Sequence, residues 1–115
     1  MTVKIMHNPR CSKSRATLAL LQERGIEPEI SLYLESPPDP GEIRAILKKL
    51  NMKPRELMRR GESEYAQLNL GDANLNDDAL VSAMAKHPRL IERPIVLANG
   101  KAAIGRPPES VLEIL

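Results

Sequence analysis

The chain carries a single cysteine, Cys11, within the stretch HNPRCSKSR, residues 7 to 15. A lone thiol can serve as a small buried hydrophobe. This one stands in a polar, proline-containing loop between a short apolar run and residues at helical spacing. At a helix start, unpaired backbone N–H groups and the positive end of the helix dipole both favour thiolate. A thiol of pKa about 8.5 is only about 3% ionised at pH 7, whereas one lowered to about 6.5 is mostly thiolate, and the thiolate is the nucleophile. Lys13, Ser14 and Arg15 add cationic or hydroxyl donors near the sulfur, and His7 is placed either to donate to it or to make a structural hydrogen bond.

The same stretch argues against other thiol chemistries. A phosphatase loop of the C-x5-R kind requires Arg at position 17, where Thr17 stands, and a C-x-x-C centre requires Cys at 14, where Ser14 stands. Cys11 is therefore a monothiol centre. His7, Cys11 and His87 have no closing metal-ligand pattern, so no metal is expected.

The elements that must position Cys11 follow from periodicity. Val3 and Ile5 alternate with polar neighbours until Asn8-Pro9-Arg10 breaks the run; from Ser12 the apolar residues fall at helical spacing, with Gly25 as the stop. Ile30, Leu32 and Leu34 alternate within Pro28 to Leu34, which predicts a second strand and a parallel βαβ unit over residues 2–34. Ser36 to Glu42 is a breaker. Beyond it, Ile43, Ile46, Leu47 and Leu50 mark a helical face, KPRELMRR begins another helix at Pro54, and Asn76 caps a third that Pro88 ends. Two strand-like runs flank Asn99-Gly100, a dipeptide suited to a type I′ hairpin, and PPESVLEIL reads as a short closing helix with Val111, Leu112 and Leu115 packing back. The predicted architecture is α/β: a mixed four-stranded sheet, βαβ then ββα, with a helical insertion at about residues 36–88.

At 115 residues the chain fits a single domain over 1–115. Phe and Trp are absent and Tyr33 and Tyr65 are the only aromatics, so the core must come from Leu, Ile, Val, Ala and Met. A formal charge of +2 does not suggest a polyanionic partner, and without aromatic stacking platforms no nucleic acid is expected. One cysteine makes no internal disulfide, and there is neither a leader-like apolar stretch nor a membrane span. These features suit a cytoplasmic chain in a reducing compartment.

Taken in order, HNPRCSKSR, ELMRRGESEY, ERPIV and GRPPE resemble the glutaredoxin-coupled arsenate reductases almost end to end. The resemblance implies a thioredoxin-like sheet with a helical insertion. It makes Cys11 the nucleophile and Arg59, Arg93 and Arg106 the oxyanion-binding arginines, with Arg60 the nearest rival to Arg59. It also implies that Pro94 is similar to the cis-proline that faces the cysteine in thioredoxin-like folds. His7, Ser14 and Arg15 would support the site. Arsenate is an anionic oxyanion that repels an approaching thiolate unless guanidinium groups neutralise its oxygens, a task suited to Arg's fixed fork and permanent charge.

The implied scheme is attack of Cys11 on arsenic, reduction of the adduct to arsenite by glutathione, and resolution of the remaining mixed disulfide by glutaredoxin. Glutathione is then a co-substrate, and no bound cofactor is expected. Two alternatives share the fold. One is a glutathione-linked thiol oxidoreductase; the other is a redox-sensing transcriptional regulator, against which Ser14 and the three arginines argue.

Overall fold

In the computed structural model, which describes residues 2–115, the first strand β1 (Val3–Met6) leads into helix α1 (Ser12–Glu23) and then into β2 (Glu29–Ser31). β2 lies parallel to β1, Ile5 opposite Ile30. α1 ends where its pattern predicts: Gly25, at φ 76°, follows the cap residue Arg24. There the Gly25 and Ile26 amides donate to the carbonyls of Gln22 and Leu21, both at 3.0 Å, which satisfies carbonyls the helix leaves over.

The second strand is shorter than its alternation predicts. The Leu32 carbonyl accepts the amides of Glu35 and Ser36 at 2.9 and 3.0 Å, so the chain turns immediately after Ser31. Ile30, Leu32 and Leu34 stay 47%, 38% and 38% exposed while Tyr33 is buried. Leu32 and Leu34 line an open groove of about 290 Å³ together with the His7 to Arg10 loop.

Near the C-terminal end, β3 (Ile95–Ala98) and β4 (Lys101–Ile104) form the expected hairpin. Asn99 and Gly100 both have positive φ, 55° and 73°, as a type I′ turn demands. β3 pairs antiparallel with both β1 and β4, so the sheet order is β2-β1-β3-β4. Pro108–Ile114 is a 3-10 helix where a short helix had been expected. Its three-residue repeat eclipses i and i+3, which brings Val111 and Ile114 to one buried face; Leu115 packs against the same core as expected, half-buried, while Ile114 takes the place expected of Leu112. Val111 and Ile114 join Val3, Ile5, Leu21, Val96 and Ala98 in the core.

The backbone divides into two compact units, Met1–Ser36 with Arg93–Leu115, and Pro37–Glu92. The second holds α2 (Pro40–Leu50), α3 (Pro54–Leu57), α4 (Ser63–Gln67) and α5 (Asp77–Lys86), then a 3-10 turn at Pro88–Leu90. Asp39 caps α2 by accepting the Glu42 amide at 2.8 Å, and Asn76 caps α5 through the Ala79 amide at 2.9 Å. α3 stops short of the pattern: Met58 forms a β-bridge with Ile91 and the Arg59 amide donates to the Leu90 carbonyl at 2.7 Å. α4 falls within the expected helical insertion, though no capping or periodic signal marks it separately. Among the described residues no helix is long and apolar enough to cross a membrane.

Candidate active site

Cys11 is the N-cap of α1, with φ −95° and ψ 124°. Its amide donates to the Asn8 carbonyl and its own carbonyl accepts the Arg15 amide, both at 3.0 Å. The preceding loop is fastened by its own residues. Asn8 Oδ1 accepts the Arg10 amide at 3.0 Å, and Arg15 Nη1 donates to the Pro9 carbonyl at 2.9 Å. Ser14 is fully buried; its Oγ accepts the Asn8 amide at 3.0 Å and lies 2.6 Å from His7 Nδ1. Burial, and secondly the charge of Arg15, hold the His7 imidazole below its ordinary pKa. A neutral His7 therefore braces the loop through Ser14 at neutral pH. Arg15 is likewise a brace, because its guanidinium is turned to a backbone carbonyl.

The thiol itself is free and partly exposed. Burial is the largest single influence on it and pushes its pKa up, but the Ser14 amide, the Arg93 guanidinium and the Lys13 amide together outweigh that, so the thiol sits below its ordinary value. The N-terminal amides and the cation act as expected at a helix start. It follows that the rate of Cys11 alkylation by iodoacetamide will rise to its plateau at lower pH than that of a simple thiol. Below the midpoint it should fall about tenfold per pH unit. A midpoint at or above about 8.5, measured across pH 5 to 10, would contradict this.

Arg106 Nη2 stands 3.6 Å from Cys11 Sγ, and its Nε donates to the Arg93 carbonyl at 2.8 Å. The two arginines are thus tied together and both address the sulfur. Pro94 is buried and follows a cis Arg93–Pro94 bond; Arg106–Pro107 is a second cis bond, which the sequence had not suggested. The Gly105 amide donates to the Pro94 carbonyl at 2.9 Å and locks the two arginine-bearing turns to each other.

Arg59 belongs to the other unit. There its Nη1 meets Glu92 Oε1 at 2.9 Å and its Nε lies 3.3 Å from Glu62 Oε1. Its neighbour Arg60 is exposed. Asn8, Gly105 and the carboxylates on Arg59 are not among the site residues that the sequence points to. For Asn8 the Asn-Pro turn signal was present; for the others no local signal exists. Among the described residues no cluster of three His, Cys, Asp or Glu side chains is placed to hold a metal ion.

The family model of the ArsC family matches residues 6–114, a span that includes Cys11 and all three arginines. The chain belongs to the ArsC family. A curated arsenate reductase of Neisseria meningitidis is 54% identical over 114 residues, covering 98% of this chain and 97% of its own. The protein YfgD of Escherichia coli K12, described as uncharacterized, is 61% identical over 98% of this chain and 96% of its own. A solved arsenate reductase from Vibrio cholerae superposes with a TM-score of 0.98 at 56% identity, covering 100% of this chain and 98% of that one. The thioredoxin-like α/β fold expected from the sequence is the fold of these ArsC relatives.

Proposed function

We propose that this chain is a cytoplasmic arsenate reductase that uses Cys11 as its nucleophile, with glutathione and glutaredoxin as reductants. The observation that carries the reading is the meeting of a thiolate-favouring cysteine with the Arg93 and Arg106 guanidinium groups, Arg106 at 3.6 Å from the sulfur. The names of relatives at 51 to 54% identity support the substrate.

The Cys11 thiolate attacks arsenic and displaces one oxygen as hydroxide, which takes up a proton to leave as water, giving a sulfur–arsenic(V) adduct. The thiolate of glutathione then attacks Sγ; the electron pair of the sulfur–arsenic bond passes to arsenic, which departs as arsenite, and Cys11 is left in a disulfide with glutathione. A glutaredoxin thiolate takes the glutathionyl sulfur and returns Cys11 to thiolate. Throughout, Arg93 and Arg106 offset the negative charge brought to the sulfur, each charge-assisted hydrogen bond contributing roughly 1.5 to 3 kcal/mol. Arg59 is assigned the third oxyanion contact by family resemblance. Ser14, at the position of a second cysteine in dithiol centres, leaves resolution to an outside thiol.

The test is arsenate-dependent NADPH oxidation coupled through glutathione, glutathione reductase and glutaredoxin. Turnover should require arsenate, this protein and glutaredoxin together. Folded protein without arsenate-dependent oxidation would overturn the reading in favour of a glutathione-linked oxidoreductase acting on another substrate.

A further inference from the structure

Gly105 directly precedes Arg106, yet it has no positive φ that would call for glycine. What it lacks is room. A Cβ at this buried position would run into Thr17 Oγ1, stand 2.8 Å from Pro94 Cγ and 3.1 Å from Thr17 Cγ2. Thr17 is itself fully buried and tied by its hydroxyl to the Lys13 carbonyl at 2.8 Å, so it has no rotamer into solvent to yield. Pro94 is a ring on a turn whose carbonyl accepts the Gly105 amide at 2.9 Å. Thr17 rides on α1, the helix that Cys11 N-caps, and Pro94 follows Arg93. The glycine is therefore the point where the helix bearing the thiol, the turn bearing Arg93 and the turn bearing Arg106 touch.

We propose that Gly105 is a positioning residue: the missing side chain lets the Ile104 to Pro107 segment close onto α1 and the Arg93–Pro94 turn, and this closure sets the reach of both guanidinium groups to the Cys11 sulfur. An added methyl must push α1 away from the arginine-bearing turns, because the atoms it meets are a buried helix side chain and a proline ring. A shift of even an ångström takes Arg106 Nη2 from 3.6 Å to beyond hydrogen-bonding reach of sulfur. The consequence for arsenate rests on the function proposed above, whereas the consequence for the thiol does not.

The experiment compares Gly105→Ala, Thr17→Ala and the double variant by the pH profile of Cys11 alkylation, with arsenate turnover alongside and circular dichroism to verify folding. Gly105→Ala should move the alkylation midpoint upward by about one unit, an approximately tenfold slower reaction at pH values below both midpoints. Thr17→Ala should keep the wild-type profile, and the double variant should regain most of it, since two of the three obstructing atoms are gone. If Gly105→Ala alone fails to fold, a folded double variant with the wild-type profile still supports the proposal. A folded Gly105→Ala with an unchanged profile overturns it, as does a double variant no closer to wild type than the single. Should wild-type protein show no arsenate turnover, the functional reading fails while the alkylation profiles still decide the role of Gly105.

Discussion

Replacing Cys11 with serine is expected to reduce arsenate turnover to background in the glutaredoxin-coupled assay while leaving the fold intact. The loss follows from two independent steps. A serine hydroxyl ionises far above the range of a thiol, so the helix N-terminus and Arg93, which favour thiolate here, cannot supply an anionic nucleophile near neutral pH. Even if an oxygen adduct formed, no mixed disulfide with glutathione could follow, because that step needs a sulfur at position 11. Stability should not be the cause. The side chain is partly exposed, and serine is among the preferred N-cap residues, so the thermal midpoint should stay level or rise. Near-normal arsenate reduction by folded Cys11→Ser would remove the thiolate mechanism altogether.

The residues that could be read in advance are those whose signals are local. Cys11 at a strand-to-helix junction is written in the change of period across Asn8-Pro9-Arg10, and the hairpin is written in Asn99-Gly100, because only certain residues accept two successive positive φ values. The alternation of Ile30, Leu32 and Leu34 carries period without side. Burial of Tyr33 in their place depends on how the turn after Ser31 folds, which those residues alone do not determine. KPRELMRR has helical propensity to its end, but Met58 is taken by a bridge to Ile91, a partner far along the chain.

The site divides in the same way. Resemblance brought forward Arg59, Arg93 and Arg106 as a set, whereas the tie from Arg106 to the Arg93 carbonyl and the carboxylates that hold Arg59 depend on side chains that meet only after folding. Ser14 is instructive. Its place in the chain suggests a hydroxyl donor beside the sulfur; the buried hydroxyl instead fastens the His7 and Asn8 end of the loop, and it is the Ser14 amide that addresses the sulfur. Gly105 could not have been singled out, since its constraint is empty space bounded by Thr17 and Pro94.

Arg106→Ala should lower kcat/KM for arsenate by about ten- to a hundredfold, the range set by one charge-assisted hydrogen bond of roughly 1.5 to 3 kcal/mol aimed at charge in the transition state. Arg106 makes two contacts at once: Nη2 toward the sulfur at 3.6 Å and Nε to the Arg93 carbonyl at 2.8 Å. A lysine carries the charge on one compact ammonium and lacks the planar fork whose separate Nε and Nη2 reach the Arg93 carbonyl and the sulfur. Arg106→Lys should therefore recover part of the loss and no more. Arg93→Ala has an additional signature, because the Arg93 guanidinium also holds the Cys11 thiol down. Its alkylation midpoint should move upward, so its turnover deficit should be greatest at low pH and narrow as pH rises through the new midpoint. If both arginines grip the same oxyanion, the double alanine variant should lose less than the product of the two single losses. Steady-state kinetics of the three alanine variants across pH 6 to 9 measure this directly, and wild-type kcat/KM in Arg106→Ala would end its assignment to the oxyanion site.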